Sequence, residues 1–218
     1  MIKNILLLLL LSPLCVKAQD FYPVNYDSIE TVLKENKTVY KETLNRFLKE
    51  ETLSTEELRL IYYGAVFQEN YDPYGEHKKE KEFFNYYNEL NYKEALAIGE
   101  EILKDEPLDI EMIFSVFVCA NELKDQKKID TYMYYYLELL TAIRSSGDGL
   151  TATTAFVVTR ISDEYAFMGQ LGVEHNKQAL VGTCDKFTLT EKGEEFTGDE
   201  IYFDVSKPLE SLWGLDGK

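Results

Sequence analysis

With three cysteines, two histidines and one tryptophan in 218 residues, the chain has little material for the commonest site chemistries. His77 and His175 stand far apart in polar segments, and neither has a cysteine or acid at metal-ligand spacing, so the sequence gives no zinc site. No His-Glu-x-x-His, Gly-x-Ser-x-Gly or phosphate-binding Walker loop occurs, and no cofactor is implied. Cations are also scarce: 23 Lys and Arg stand against 39 Asp and Glu, a formal net charge of −16. Such a surface repels nucleic acid and anionic lipid. The acids are spread along the chain instead of gathering in a tail, which reads as a solvated surface. Beyond the first residues no apolar run approaches the roughly 20 positions a membrane helix needs. The mature chain is therefore expected not to insert into a membrane.

The start of the chain reads as an export signal. Met1-Ile2-Lys3-Asn4 supplies positive charge, and Ile5 to Leu11 is an apolar run too short to span a bilayer. Ser12-Pro13 breaks it, and Val16-Lys17-Ala18 sets small or apolar residues where a leader peptidase reads. Cleavage is expected after Ala18, leaving residues 19–218 as one periplasmic or secreted domain. Cys15 follows Leu14, where lipid attachment requires a small residue, so Cys15 is read as discarded with the leader. Two cysteines then remain. Cys119 lies in the apolar stretch Phe114–Ala120 and reads as a buried thiol, with a Cys119–Cys184 bridge as the alternative.

What is plentiful is aromatic and helical. Residues 27–144 carry helix periodicity, including a Ser54-Thr55-Glu56-Glu57 capping box and an Asn91/Glu94 pair with the same logic. The helix after Ser54 is apolar on nearly all sides, which predicts burial between neighbours. Residues 127–144 show one stripe of Ile129, Tyr132, Met133, Tyr136, Leu137, Leu140 and Ile143, which predicts packing on one side. Two helical hairpins are predicted, 78–90 with 92–104 and 108–123 with 127–144. Their spacing suits a hairpin repeat. Tyr86, Ala95 and Pro107 sit at the spacing of the Tyr, Ala and Pro of a tetratricopeptide unit, while the usual Trp, Leu and Gly of its first helix are missing. The resemblance is to a degenerate tetratricopeptide-like hairpin.

The texture changes at Ser145-Ser146-Gly147-Asp148-Gly149, which must end the preceding helix. Strand-like segments follow at Ala179–Val181, Phe187–Thr190 and Ile201–Val205, while Phe156–Ile161 could be helix or strand. Residues 155–206 are read as a small antiparallel sheet covered by the last helices. The fold class is then α+β.

Site candidates are few. Gly147, Asp148 and Gly149 form a loop whose amides could cradle an anion or carbonyl, although glycines at a helix end are more often a stop signal. Asp163-Glu164-Tyr165 sets two carboxylates beside an aromatic. On a strand those carboxylates would face opposite sides. Acid–base work would require Asp148, Asp163 and Asp185 to converge in space. Tyrosine serves both as core filler and as an interface aromatic. Tyr134 and Tyr135, on the flanks of their stripe, mark the expected binding face.

Leu60–Gly64, Tyr71–Tyr74, Ser146–Gly149, Asp163–Tyr165 and Ile201–Asp204, in that order, resemble an uncharacterised family of exported bacterial proteins, domain-of-unknown-function family 4919. That resemblance implies an exported compartment and a shared fold, and it carries no activity. The sequence is read as a non-enzymatic module that recognises a protein or peptide partner, with Tyr134, Tyr135, Gly147, Asp148, Gly149 and Asp163 as binding residues. The alternative is a carboxylate-based hydrolase or small-ligand-binding protein built on Asp148, Asp163 and Asp185.

Overall fold

The computed structural model describes residues 21–212 and Gly214. The expected leader, its cleavage point after Ala18, and Cys15 lie outside the described residues. Among the described residues seven α-helices come first: α1 Tyr26–Glu35, α2 Val39–Phe47, α3 Thr55–Gly64, α4 Glu80–Asn88, α5 Tyr92–Asp105, α6 Ile110–Glu122 and α7 Gln126–Arg144. Then follow β1 Phe156–Val157, α8 Ser162–Leu171, β2 Glu174–Val181, β3 Cys184–Glu191, β4 Glu200–Asp204 and α9 Ser206–Leu212. The architecture is α+β, with helical hairpins leading into a four-stranded sheet. Among the described residues no helix is long and apolar enough to cross a membrane.

Local chemistry sets the helix boundaries. Ser54 accepts from the Glu57 amide while Glu57 accepts from the Ser54 amide, completing the expected capping box. Asp109 caps α6 by accepting from Met112 N at 2.9 Å, and Asp125 caps α7. Asn91 makes no side-chain cap on α5; its side-chain amide turns to Glu89 instead. The turns after α2, α4 and α6 share one design. Glu50, Leu90 and Lys124 adopt φ of 58°, 61° and 58°, and the next amide reaches back five residues, to Arg46, Tyr86 and Ala120.

Each helix from α4 to α7 packs on the next, and α7 also packs on α3. Helix α7 is thus held from two sides, not one. Leu139 and Ala142 are buried along with Tyr136, Leu140 and Ile143, while Leu137 of the expected stripe is exposed. Helix α3 buries Leu58, Ile61, Tyr62 and Tyr63, as its all-round apolar surface predicts.

The sheet has the order β1-β4-β3-β2. It is mixed, where a purely antiparallel sheet was expected. β2, β3 and β4 are antiparallel, but the two-residue β1 runs parallel to β4, pairing Phe156 with Phe203. A strand arriving from the helical part through the 145–155 loop enters beside β4 in that sense. Phe156 and Phe203 meet Phe167 of α8, and Phe187 joins Phe203, so aromatic rings close the sheet onto α8. Cys119 and Cys184 are free, buried thiols, so the bridge alternative is not realised.

Candidate functional site

The residues between β1 and α8 bring the charged groups of the chain's interior together. Helix α8 begins at Ser162, so Asp163 and Glu164 occupy its first turn and not a strand. Consecutive helical positions lie about 100° apart. Both side chains point inward, and both are fully buried.

Asp163 meets α3. The Tyr62 hydroxyl donates to Asp163 Oδ2 at 2.6 Å and accepts from the Thr159 amide at 3.2 Å. Asp163 Oδ1 has no partner. Burial pushes this carboxyl up to about 7, against the Tyr62 hydrogen bond and the Arg160 charge, which pull it down. Glu164 faces β3, with neither carboxyl oxygen partnered. Burial, reinforced by Asp185 and Asp163, pushes Glu164 up to about 9. Asp185 is also raised by burial, with the Gln178 amide, donating at 2.9 Å, working against it. Two of the three carboxylates expected to converge, Asp163 and Asp185, therefore act on a third, Glu164. Asp148 is not among the groups acting on any of them.

Asp148 is occupied locally. The amides of Asp148 and Gly149 both donate to the Thr154 carbonyl, at 3.0 and 2.8 Å, and Asp148 Oδ1 accepts from Leu150. The Gly149 carbonyl accepts from Tyr202 of β4. Two of the amides that could have cradled an anion, those of Asp148 and Gly149, thus close their own loop on Thr154.

Arg160, one turn before Asp163, was not singled out in the sequence. Its guanidinium donates to Glu106 at 2.8 Å and to the Gly75 carbonyl at 3.1 Å, with Asp109 at 3.8 Å. The signal was a lone arginine inside the apolar run Phe156–Ile161, a position that demands a buried anion. Arg160, Tyr62 and Thr159 form one wall of a cavity of about 300 Å³, closed by the 69–79 loop and the α5–α6 turn.

A second depression, about 690 Å³, lies between α4, α6, α7 and α8. Tyr87, Phe114, Tyr136 and Tyr165 line it, with Ser115, Ser162, Gln170 and Glu111 as its polar groups. The Phe114 and Tyr165 side chains are 44% and 47% exposed. Neither Asp163 nor Glu164 lines the cavity or the groove.

Tyr134 and Tyr135 lie elsewhere. Their hydroxyls donate to the carbonyls of Glu51 and Leu48, each at 2.8 Å, and both rings rest on Phe47. They tie α7 to the α2–α3 turn. Tyr135 also edges a separate hollow of about 490 Å³ with Tyr132 and Leu103.

A family model matches residues 27–212 of this chain, most of its length. The chain belongs to the family described as domain of unknown function (DUF4919). No curated protein and no solved structure matches it. Within DUF4919 the match runs from α1 through α9, so the helical hairpins, α8 and the sheet together make up the family domain.

Proposed function

We propose that this DUF4919 chain is an exported, non-enzymatic module that recognises a protein or peptide partner through the groove between α6 and α8. The observation that carries the proposal is the half-exposed pair Phe114 and Tyr165, set among Tyr87 and Tyr136 in a groove large enough for side chains of a partner. Aromatic rings on rigid helices make good anchors, because they cover area at small entropic cost. Glu111 is the groove's charged group, and the net charge is −16. The partner segment that fits is an apolar or aromatic anchor flanked by Lys or Arg.

The alternative of a hydrolase or small-ligand-binding protein is built on Asp148, Asp163 and Asp185, of which Asp163 and Asp185 act on Glu164 and Asp148 does not. A general acid or base must reach its substrate. Asp163 and Glu164 are fully buried and line no cleft described above, so the recognition reading is preferred.

Panning a displayed peptide library against the chain tests the proposal. Enriched sequences should combine an aromatic or aliphatic anchor with basic flanks. Phe114→Ala with Tyr165→Ala should weaken the best peptide about thirtyfold or more, with circular dichroism unchanged. Tyr134→Ala with Tyr135→Ala is the competing variant. If that pair abolishes binding while the groove pair does not, recognition belongs to the face first expected from the sequence.

A further inference from the structure

The groove between α6 and α8 carries features that the fold itself does not use. From α8, Ser162, Tyr165, Ala166, Gly169 and Gln170 line it at the i, i+3, i+4, i+7 and i+8 spacing of one helix face. Ser162, Ala166 and Gly169 are small. Glycine is a poor helix former, so within a helix it marks a close neighbour or a close approach by something else. Gly99 of α5 has such a neighbour: a Cβ there would lie 2.4 Å from Val116. A Cβ on Gly169 would meet nothing within 4 Å beyond the backbone of α8. Among the described residues nothing fills the space that Gly169 leaves open. From α6, Ser115 lines the groove at 7% exposure, yet among the described residues its hydroxyl has no hydrogen-bond partner. Thr31 and Thr141 turn their hydroxyls back to the carbonyl four residues earlier, and Ser115 does not. Glu111, one turn before Ser115, also lines the groove and has no salt-bridge partner among the described residues.

A partner backbone brought against Gly169 must have its amides and carbonyls satisfied. The groove is walled by α4, α6, α7 and α8, whose backbone groups bond within each helix, so it has no strand edge to pair with. An extended peptide would carry unpaired backbone groups into it. A helix brings its backbone already satisfied, and a face of small residues lets it lie close. Resting on the recognition reading above, we infer that the groove receives an amphipathic helix of a partner protein. Its backbone packs over Gly169, a Lys or Arg meets Glu111, and a polar side chain bonds to the Ser115 hydroxyl. Phe114 on one wall and Tyr165 on the other cover its apolar face.

Two displayed libraries panned against the full chain test the inference. One holds peptides of about 15 residues patterned as amphipathic helices; the other has the same length with a central proline, which bars a helix. Binders lost in Phe114→Ala with Tyr165→Ala should come from the first library alone. Against the best of them, Gly169→Ala should weaken binding about fivefold or more, while the melting temperature stays level or rises. Ser115→Ala should weaken it about threefold or more in a chain no less stable. Groove-dependent binders from the proline library would overturn the helical form and leave the recognition reading intact. Unchanged affinity in folded Gly169→Ala would overturn the placement over α8. A dimer of the free chain, seen by sedimentation and lost in Gly169→Gln, would put a second copy in the groove and overturn the partner helix. If neither library yields a groove-dependent binder, the recognition reading falls and the helix with it.

Discussion

Between α4, α5 and α6 the packed cluster consists of Phe83, Ala95, Leu96, Ile102, Met112, Val116 and Cys119, and nearby charges pair on the surface as Lys79–Glu101 and Lys128–Glu100. Around α8 the interior holds Asp163 and Glu164 at full burial, with Asp185 close by. The first region follows the simple rule. Each large apolar side chain taken from water contributes about 1.5–3 kcal/mol, and surface ion pairs add little. The second region works against that rule, because a buried carboxyl without partners costs free energy that the surrounding rings must offset. Phe156, Phe167, Phe187 and Phe203 supply that surrounding. Burial also raises the Asp109, Glu111 and Glu138 carboxyls of the hairpins, but at the seam two fully buried carboxyls, Asp163 and Glu164, stand side by side.

The contrast is tested hardest at Tyr62. Its hydroxyl serves two buried groups, donating to Asp163 and accepting from the Thr159 amide. Tyr62→Phe leaves both without partners and should cost about 3 kcal/mol in urea denaturation. Tyr135→Phe, which removes a hydroxyl from a half-buried position at the Leu48 carbonyl, should cost less than about 1 kcal/mol. Equal losses would remove the distinction between the seam and the helical scaffold.

The sequence showed one region better than the other for the same reason. Hairpin ends depend on neighbours within a few residues, so the Ser54 box and the join at Asp125 could be read, although the expected Asn91/Glu94 box is not realised and the turns at Leu90 and Lys124 drew no reading. Strands at 179–181, 187–190 and 201–205 were legible from β-branched and aromatic runs. The seam depends on distant partners. Asp163 is buried because Tyr62 lies opposite, 101 positions earlier in the chain, and nothing in Ile161-Ser162-Asp163-Glu164 announces that. The flanking positions of Tyr134 and Tyr135 were readable from helix geometry, but that the α2–α3 turn would take their hydroxyls was not. The parallel entry of β1 was likewise invisible, since two residues carry no periodicity.

The loop that joins the two regions gives the next effect. Gly149 has φ of 68°, and a Cβ there would lie 2.3 Å from the Phe156 ring, which is packed against Phe167 and Phe203. Gly149→Ala should cost about 2 kcal/mol, combining backbone strain with displacement of that ring. Asp148→Asn keeps the Oδ1 acceptor for the Leu150 amide and should change stability by less than about 0.5 kcal/mol. A larger loss for Asp148→Asn than for Gly149→Ala in thermal melts would point to a working carboxylate in the loop.

The smallest effect has the most distinctive signature, because its sign changes with pH. Burial holds Asp163 up at about 7 and Glu164 up at about 9, from ordinary values of 3.8 and 4.5 that describe the unfolded chain. Between those limits the unfolded chain has lost protons that the folded chain retains. Stability is therefore fully present below the unfolded values and is lost as pH rises toward the folded ones. Each carboxyl weakens the fold by at most about 1.4 kcal/mol per pH unit in its window. The melting temperature should then fall from pH 6 to pH 8. Glu164→Gln keeps the shape and removes the titration, while its buried amide still finds no partner. At pH 8 the variant should be more stable than the parent, and at pH 5 it should be equal or weaker. Asp163 still titrates in the variant, so the slope should become shallower without vanishing. Parallel stability curves for variant and parent across pH 5 to 8 would show that Glu164 is ionised throughout or reaches solvent, and would leave the seam no more sensitive to protonation than the hairpins.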